Sequence, residues 1–230
     1  DFIGARSSEI YFTSGGTEAN NFALKGIAFS HLGKKDHIIS TKIEHSAVID
    51  SLDYLKSRFG FNITYLNTDK YGIIDMNELR DSITPSTFLI SVMHSNNELG
   101  VINDIAGISK IAKEKNVLLH TDSVQSIGKT HFNVNETGAD TATLSAHKIF
   151  GPKGIGALFI RQGIPIDKII HGGKQERERR GGTENIAAIA GFKKAVEILK
   201  EEMNSDIEKY SVLRNKLVTM LGERFGDSVI

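Results

Sequence analysis

The hydrophobic positions of this 230-residue sequence follow two spacings that alternate along the chain. Short runs of apolar and β-branched residues have the length of strands, and between them apolar residues recur every three or four positions, as in amphipathic helices. The predicted strands are residues 9–13, 37–40, 62–66, 87–93, 117–121, 141–144 and 156–160. The predicted helices are residues 17–30, 45–59, 73–83, 104–116, 185–200 and 203–225. Helix caps are predicted at Asp75 and at Asn103 or Asp104.

Strands that alternate with helices predict βαβ units, and therefore an α/β fold with a mainly parallel sheet covered by helices on both faces. In such sheets ligands bind just outside the carboxyl ends of the strands. Polar residues that directly follow a predicted strand are therefore the first candidates for a functional site.

Composition narrows the class of protein. The chain is 40% hydrophobic with a formal net charge of zero, which argues against nucleic acid or a membrane as the main partner. No apolar run approaches the roughly 20 residues of a membrane helix, and no signal-peptide pattern opens the chain, so a cytoplasmic location is expected. The absence of cysteine excludes disulfides and thiolate metal sites within these residues. The 8 histidines show no H-E-x-x-H pairing, and no metal site is predicted.

The first strand ends in the run "TSGGTEANN", in which two glycines precede Thr17 at a predicted helix start. Backbone N–H groups can face a phosphate there, although many such turns only connect a strand to a helix. The run is neither a P-loop nor a dinucleotide fingerprint. His45 and the Asn96–Asn97 pair also follow strands, and by themselves they are explained by a helix cap and an Asx turn.

Two further strands end in residues with stronger chemistry. Asp122 follows the aliphatic strand 117–121, with Gln125 one turn later. A carboxylate at the end of a buried strand is costly unless a metal, an arginine or a protonated ligand nitrogen meets it. Ser145, His147 and Lys148 follow the strand 141–144.

Taken together, these residues meet the requirements of pyridoxal 5'-phosphate (PLP). The cofactor needs an amine for its aldehyde, an acid that keeps its ring nitrogen protonated, and a glycine turn with hydroxyls for its phosphate. A lysine in a loop is ordinarily a solvated charge, but in this set Lys148 is best interpreted as the lysine that forms an imine with PLP.

The sequence also resembles the cysteine desulfurases of the nitrogen-fixation and iron–sulfur-assembly type. The resemblance runs in order from about residue 9 to about residue 190, through the motifs "FTSGGTEANNFALKG", "EHSAV", "SVMHSNNELGVINDI", "HTDSVQSIGK", "SAHKIFGPKGIGALFIR" and "HGGKQERERRGGTENI". These enzymes are class V aminotransferases with the fold-type I architecture of PLP-dependent transferases. The last motif points to desulfurases over aminotransferases.

The resemblance implies roles for five residues around the cofactor ring. Lys148 would bind PLP covalently and move protons at the substrate α-carbon. Asp122 would pair with the ring nitrogen, and Gln125 would bond the ring hydroxyl. His45 would stack on the ring as an acid–base group, with Asn97 beside cofactor and substrate.

The resemblance implies phosphate contacts for five more residues. Gly16, Thr17, Ser145 and His147 would hold the phosphate within the subunit. Thr183 would reach the phosphate of a neighbouring subunit, which implies a homodimer.

Some positions depart from the family. Lys174 and Glu178 stand where glycine is usual, which predicts a stiffer or differently placed segment, and Ser123 replaces the usual alanine. Family members also begin earlier and continue into a small domain that carries the nucleophilic cysteine. Residues 1–230 are therefore predicted to be the PLP-binding large domain of a longer chain, consistent with a start at Asp1 and an end at Ile230 that lacks tail character.

The activity implied by the resemblance converts L-cysteine to L-alanine and passes sulfur, as a cysteine persulfide, to an iron–sulfur scaffold or another sulfur acceptor. The residues leave two alternatives open. One is another class V PLP enzyme, such as a selenocysteine lyase or an aminotransferase. The other is a non-catalytic protein that binds PLP or a partner.

Overall fold

Seven strands form one sheet in the computed structural model, which describes residues 2–226 of the chain. Asp1 and residues 227–230, which entered the prediction about the chain ends, lie outside the described part. The strands are β1 (Ile10–Thr13), β2 (His37–Thr41), β3 (Asn62–Leu66), β4 (Thr87–Ser91), β5 (Leu118–Asp122), β6 (Thr141–Ser145) and β7 (Gly156–Ile160). Their order across the sheet is β1-β7-β6-β5-β4-β2-β3.

The prediction of a mainly parallel sheet is confirmed. Every neighbouring pair from β6 to β3 is parallel, and only β7 runs against both of its neighbours, β1 and β6. The helices are α1 (Gly16–Ser30), α2 (Ser46–Phe59), α3 (Met76–Ser82), α4 (Ile105–Glu114), α5 (Val134–Thr137) and α6 (Ile186–Phe225).

The side chains of the central strands show that helices cover both faces of the sheet. Successive strand residues point to opposite faces, and accordingly Ile38 packs in a cluster with residues of α1 and α2, whereas Ile39 packs in one with residues of α3 and α4. Phe159 belongs to a third cluster, in which it packs with Phe192 and Leu199 of α6. The predicted layering is therefore confirmed.

The predicted caps at Asp75 and Asp104 are confirmed, since each carboxylate accepts a backbone N–H in the first turn of its helix. The predicted break between residues 200 and 203 is wrong, because α6 is one helix of 40 residues. The bridging residues include neither glycine nor proline, so nothing in the backbone chemistry interrupts the helix. Among residues 2–226, no helix has the length and apolar character needed to cross a membrane.

Candidate active site

One cavity of 310 Å³ lies at the carboxyl edge of the parallel strands and collects nine of the ten predicted site residues. These nine are Gly16, Thr17, His45, Asn97, Asp122, Gln125, Ser145, His147 and Lys148. Asn20, Met93 and Val124, which the sequence did not single out, complete its lining. These residues meet in one cavity because the loops that follow parallel strands all lie at the same edge of the sheet.

The Asp122 carboxylate is the buried charge of the cavity. It stands at the end of β5 with 5% of its surface exposed. One carboxylate oxygen accepts from the Val124 backbone N–H at 3.0 Å, and the other accepts from Asn20 Nδ2 at 2.7 Å. Burial raises the pKa of Asp122, while these two donors act to lower it. The carboxylate is thus held by neutral donors alone and retains its capacity for a cation.

Asn20 and His120 are the neighbours of Asp122 that the sequence reasoning missed. Asn20 Oδ1 lies 3.1 Å from His120 Nε2, and His120 Nδ1 lies 2.9 Å from Thr141 Oγ1. His120 precedes Asp122 by two residues in β5, so both side chains point to the same face of the sheet. That i, i+2 spacing was the available signal for His120. Asn20 enters from α1, about a hundred residues away, and no local pattern could pair it with Asp122.

Two glycines shape the end of the cavity beside the N-terminus of α1. Gly15 caps α1 with φ +156° and ψ −178°, a backbone region that is essentially restricted to glycine. A Cβ on Gly156 would lie 2.7 Å from the backbone of Gly15, so β7 can pass this turn only without a side chain. The first N–H groups of α1, at Gly16 and Thr17, are thereby presented at a helix N-terminus that suits an anion.

Lys148 lies in a 3₁₀ turn, Ala146–Ile149, that directly follows β6. The turn is closed by Gly151 N–H, which donates to Ala146 O, and by Phe150 in the left-handed conformation. Beside it, Ser145 Oγ and His147 Nδ1 are 2.8 Å apart. Lys148 is half-buried and also lines a second cavity of 540 Å³ against α6.

The Gln125 carboxamide has a defined orientation. Lys129, four residues further along the chain, donates from Nζ to Gln125 Oε1. Because the carbonyl oxygen is occupied in this way, the amide nitrogen of Gln125 remains as a donor for a group in the cavity. This polarity suits a ligand oxygen that carries negative charge.

Hydrogen bonds of the Asn96 side chain hold the loop that carries Asn97 in place. Asn96 donates to Ile43 O at 2.7 Å, and its own Oδ1 accepts the backbone N–H groups of residues 98 and 99. Asn96 is therefore structural, and the exposed Asn97 is the member of the pair that lines the cavity.

The buried Glu44, next to His45, accepts from Met93 N–H at 2.8 Å. Burial raises the pKa of Glu44 to about 8, and its Oε2 has no hydrogen-bond partner among the described residues.

Thr183 lies elsewhere, in a separate cavity of 220 Å³ that Glu176 and Arg180 also line. The segment before it has a backbone conformation that residues other than glycine rarely adopt. Glu176, Arg177 and Glu178 are all left-handed, with φ values of 46°, 53° and 65°. Glu176 Oε2 accepts the Phe12 N–H at 3.0 Å, so this turn covers the free edge of β1.

The class V aminotransferase profile matches residues 1–225. The chain belongs to the class V aminotransferase family. The cysteine desulfurase IscS of Dictyoglomus turgidum is 48% identical over 225 residues, which cover 98% of this chain and 57% of that protein. The IscS of Methanosarcina thermophila is 48% identical over 218 residues, covering 95% and 54%. The chain thus spans little more than half the length of these relatives.

A solved NifS-like protein superposes with a TM-score of 0.93 at 42% identity, covering 96% of this chain and 61% of that one. A structure described as SspA in complex with cysteine gives a TM-score of 0.83 at 43% identity, covering 86% and 57%. Both similarities confirm the resemblance to cysteine desulfurases and the PLP-enzyme fold predicted from the motifs.

The cofactor of this family is PLP, and the donor set of the 310 Å³ cavity fits it. The cavity contains a primary amine, a buried carboxylate without a charged hydrogen-bond partner, an amide N–H donor, and the N-terminus of a 15-residue helix whose first residue has no Cβ. A Cβ on Gly16 would lie 3.0 Å from Val124 Cγ2 and would narrow this cradle. These groups match an aldehyde, a ring nitrogen, a ring hydroxyl and a phosphate.

Proposed function

We propose that this chain is the PLP-binding part of a cysteine desulfurase, which removes sulfur from L-cysteine and leaves L-alanine. The observation that carries the proposal is the meeting of Lys148, Asp122, Gln125 and the α1 N-terminus in one cavity, although they come from three separate parts of the chain. The IscS relatives and the structure of SspA with cysteine support the choice of substrate.

The residues of the cavity divide the work of binding and proton transfer. PLP, when bound, supplies a conjugated ring that withdraws electrons from the α-carbon of an attached amino acid. Asp122 provides a negative charge for the ring nitrogen, and Gln125 provides an N–H donor for the ring hydroxyl. Lys148 would hold the cofactor and would remove and return the proton at the α-carbon of cysteine. His45 would contact the ring, and Gly16 and Thr17 would hold the phosphate with Ser145 and His147.

Sulfur transfer needs a nucleophile that these residues do not include. A thiolate is suited to attack the substrate sulfur because it is accessible near neutral pH. The sequence contains no cysteine, so the thiol that accepts sulfur would be supplied by residues outside it. From that persulfide, sulfur would pass to an iron–sulfur scaffold or to another acceptor protein.

The proposal includes a homodimer in which Thr183 reaches the PLP phosphate of the neighbouring subunit. The position of Thr183 in a cavity of its own supports this, since it does not line the site that holds Lys148. A cytoplasmic location remains a prediction from the sequence.

Borohydride trapping tests the cofactor assignment directly. Reduction fixes PLP irreversibly on the lysine that binds it, so the intact mass rises by one PLP-sized increment. We expect this increment in the wild-type protein and in a control variant of the exposed Lys153, Lys153→Ala, and its complete loss in Lys148→Ala. An increment that persists in Lys148→Ala would refute the lysine assignment. An absence of attachment in the wild type would refute PLP binding.

A further inference from the structure

We propose that His120 and Asn20 are positioning residues that fix the Asp122 carboxylate for the ring nitrogen, an inference that rests on the proposed function. The four side chains Thr141, His120, Asn20 and Asp122 form a continuous hydrogen-bonded row, with separations of 2.9, 3.1 and 2.7 Å. Thr141 and His120 are fully buried, and Asn20 is 1% exposed. Of these four residues, only Asp122 and Asn20 line the cavity. His120 therefore acts on Asp122 through Asn20.

The direction of each hydrogen bond in this row follows from Asn20, whose Nδ2 donates to Asp122 Oδ2. A carboxylate accepts only, so Asn20 must turn its NH₂ group toward Asp122. Its carbonyl oxygen then faces His120, and an oxygen can only accept. His120 must therefore carry a hydrogen on Nε2. A neutral imidazole has one N–H, which leaves Nδ1 as the acceptor of the Thr141 hydroxyl.

With its hydrogen on Nε2, His120 fixes the orientation of the Asn20 amide. If the Asn20 amide rotated by half a turn, its oxygen would face the carboxylate and its NH₂ group would face the Nε2–H of His120. Both contacts would be repulsive, and burial of these side chains makes such unfavourable contacts costly. Burial lowers the pKa of His120 to about 3, so the ring stays neutral at neutral pH and keeps a single N–H.

The consequence for Asp122 concerns its charge. Burial alone favours the protonated acid, and the locked NH₂ donor of Asn20 opposes this by favouring the carboxylate. A protonated Asp122 would present no charge to the ring nitrogen. The row from Thr141 to Asp122 therefore maintains the acceptor on which tight cofactor binding depends.

A buried histidine that merely fills space between strands would show no preference for the Nε2 tautomer and would have no effect on cofactor binding. Nitrogen-15 NMR of the cofactor-free protein reports the tautomer, with the His120 signals assigned by their disappearance in His120→Gln. We expect a hydrogen on Nε2 and a bare Nδ1 at neutral pH. A hydrogen on Nδ1, with or without one on Nε2, would overturn the proposal.

Two variants separate positioning from packing. His120→Leu keeps apolar volume but removes the donor, and we expect PLP to bind about tenfold more weakly, as for one lost buried hydrogen bond. His120→Gln can place an amide N–H near the former Nε2, and we expect its dissociation constant to stay within about threefold of wild type. Wild-type affinity in a folded His120→Leu, or equal losses in both variants, would contradict the proposal.

The experiment separates this inference from the proposed function. If the wild-type protein bound no PLP, the proposed function would fail, and the positioning role would fail with it. If the wild type bound PLP but His120 carried its hydrogen on Nδ1, only the positioning role would fail. The tautomer is measured on the wild type, so the test does not depend on whether His120→Leu folds.

Discussion

Two buried carboxyl groups, Asp122 and Glu44, lie close enough for the charge of one to affect the other. Burial is the main cause that raises the pKa of Glu44 to about 8, and the Asp122 charge raises it further. Asp122 has donors on both oxygens, whereas Glu44 Oε2 has none among the described residues. Asp122 is thus the better hydrogen-bonded of the two carboxyl groups, whereas burial favours the protonated form of Glu44 up to about pH 8.

Glu44 predicts how the stability of the cofactor-free protein depends on pH. An acid whose pKa is raised by folding binds a proton in the native state that the unfolded chain has released. Its stabilising contribution is present below the ordinary glutamate pKa and is lost as pH rises toward about 8. The free energy of unfolding should therefore fall with pH by up to about 1.4 kcal/mol per pH unit across this window.

Urea unfolding at several pH values measures this slope. In Glu44→Gln, which cannot titrate, we expect the slope to be shallower than in the wild type. The matched control is Glu98→Gln, which removes an exposed carboxyl from the neighbouring loop and should leave the slope unchanged. Equal slopes in the wild type and Glu44→Gln would show that Glu44 ionises normally.

At the level of helices and strands, the sequence predicted what depends on local periodicity and missed what depends on long-range contact. All seven strands and the loops at their carboxyl ends could be located, because apolar runs and the geometry of parallel sheets determine them. The continuity of α6 across residues 200–203 was missed, since a gap in apolar spacing does not break a helix that lacks glycine and proline there. Asn20 was missed because its partners, Asp122 and His120, lie on β5.

The turn at residues 176–178 places three residues other than glycine in the left-handed backbone conformation. Glu178 has φ +65°, which glycine adopts without the cost of about 1–2 kcal/mol that other residues incur. The carboxylate of Glu176 on Phe12 N–H and the Arg177 guanidinium on Ile10 O hold the turn against β1. The turn is therefore strained and is fixed on the edge strand of the sheet, while the predicted stiffening relative to the family stays a prediction.

Glu178→Gly should therefore stabilise the protein, by about 1 kcal/mol. Lys174→Gly is the matched control, because it removes the same exposed ion pair, 3.3 Å between Lys174 Nζ and Glu178 Oε1, at a position that is not left-handed. We expect the control to be neutral or slightly destabilising in thermal unfolding. If both glycine variants changed the melting temperature equally, strain at Glu178 would not be the cause.

For the whole molecule, the decisive question is whether one chain can complete its own site. The described residues collect nine predicted positions in one cavity and leave Thr183 in another. If Thr183 contacts the PLP of a neighbouring subunit, a chain that lacks Lys148 and a chain that lacks Thr183 should together form one complete PLP site. A dimer of one Lys148→Ala chain and one Thr183→Ala chain contains one site with an intact Lys148 and an intact Thr183 from the partner.

Borohydride trapping on such mixed dimers tests this. Thr183→Ala alone should bind PLP about tenfold more weakly, because one hydrogen bond to a charged phosphate is lost, while Thr183→Ser should retain binding. When the two chains are folded together, PLP attachment to the Thr183→Ala chain should rise toward the wild-type level at a limiting PLP concentration. The two chains differ in mass, so the attached PLP is assigned to one of them. Attachment that stays low after mixing would mean that Thr183 acts within its own subunit or has no phosphate contact.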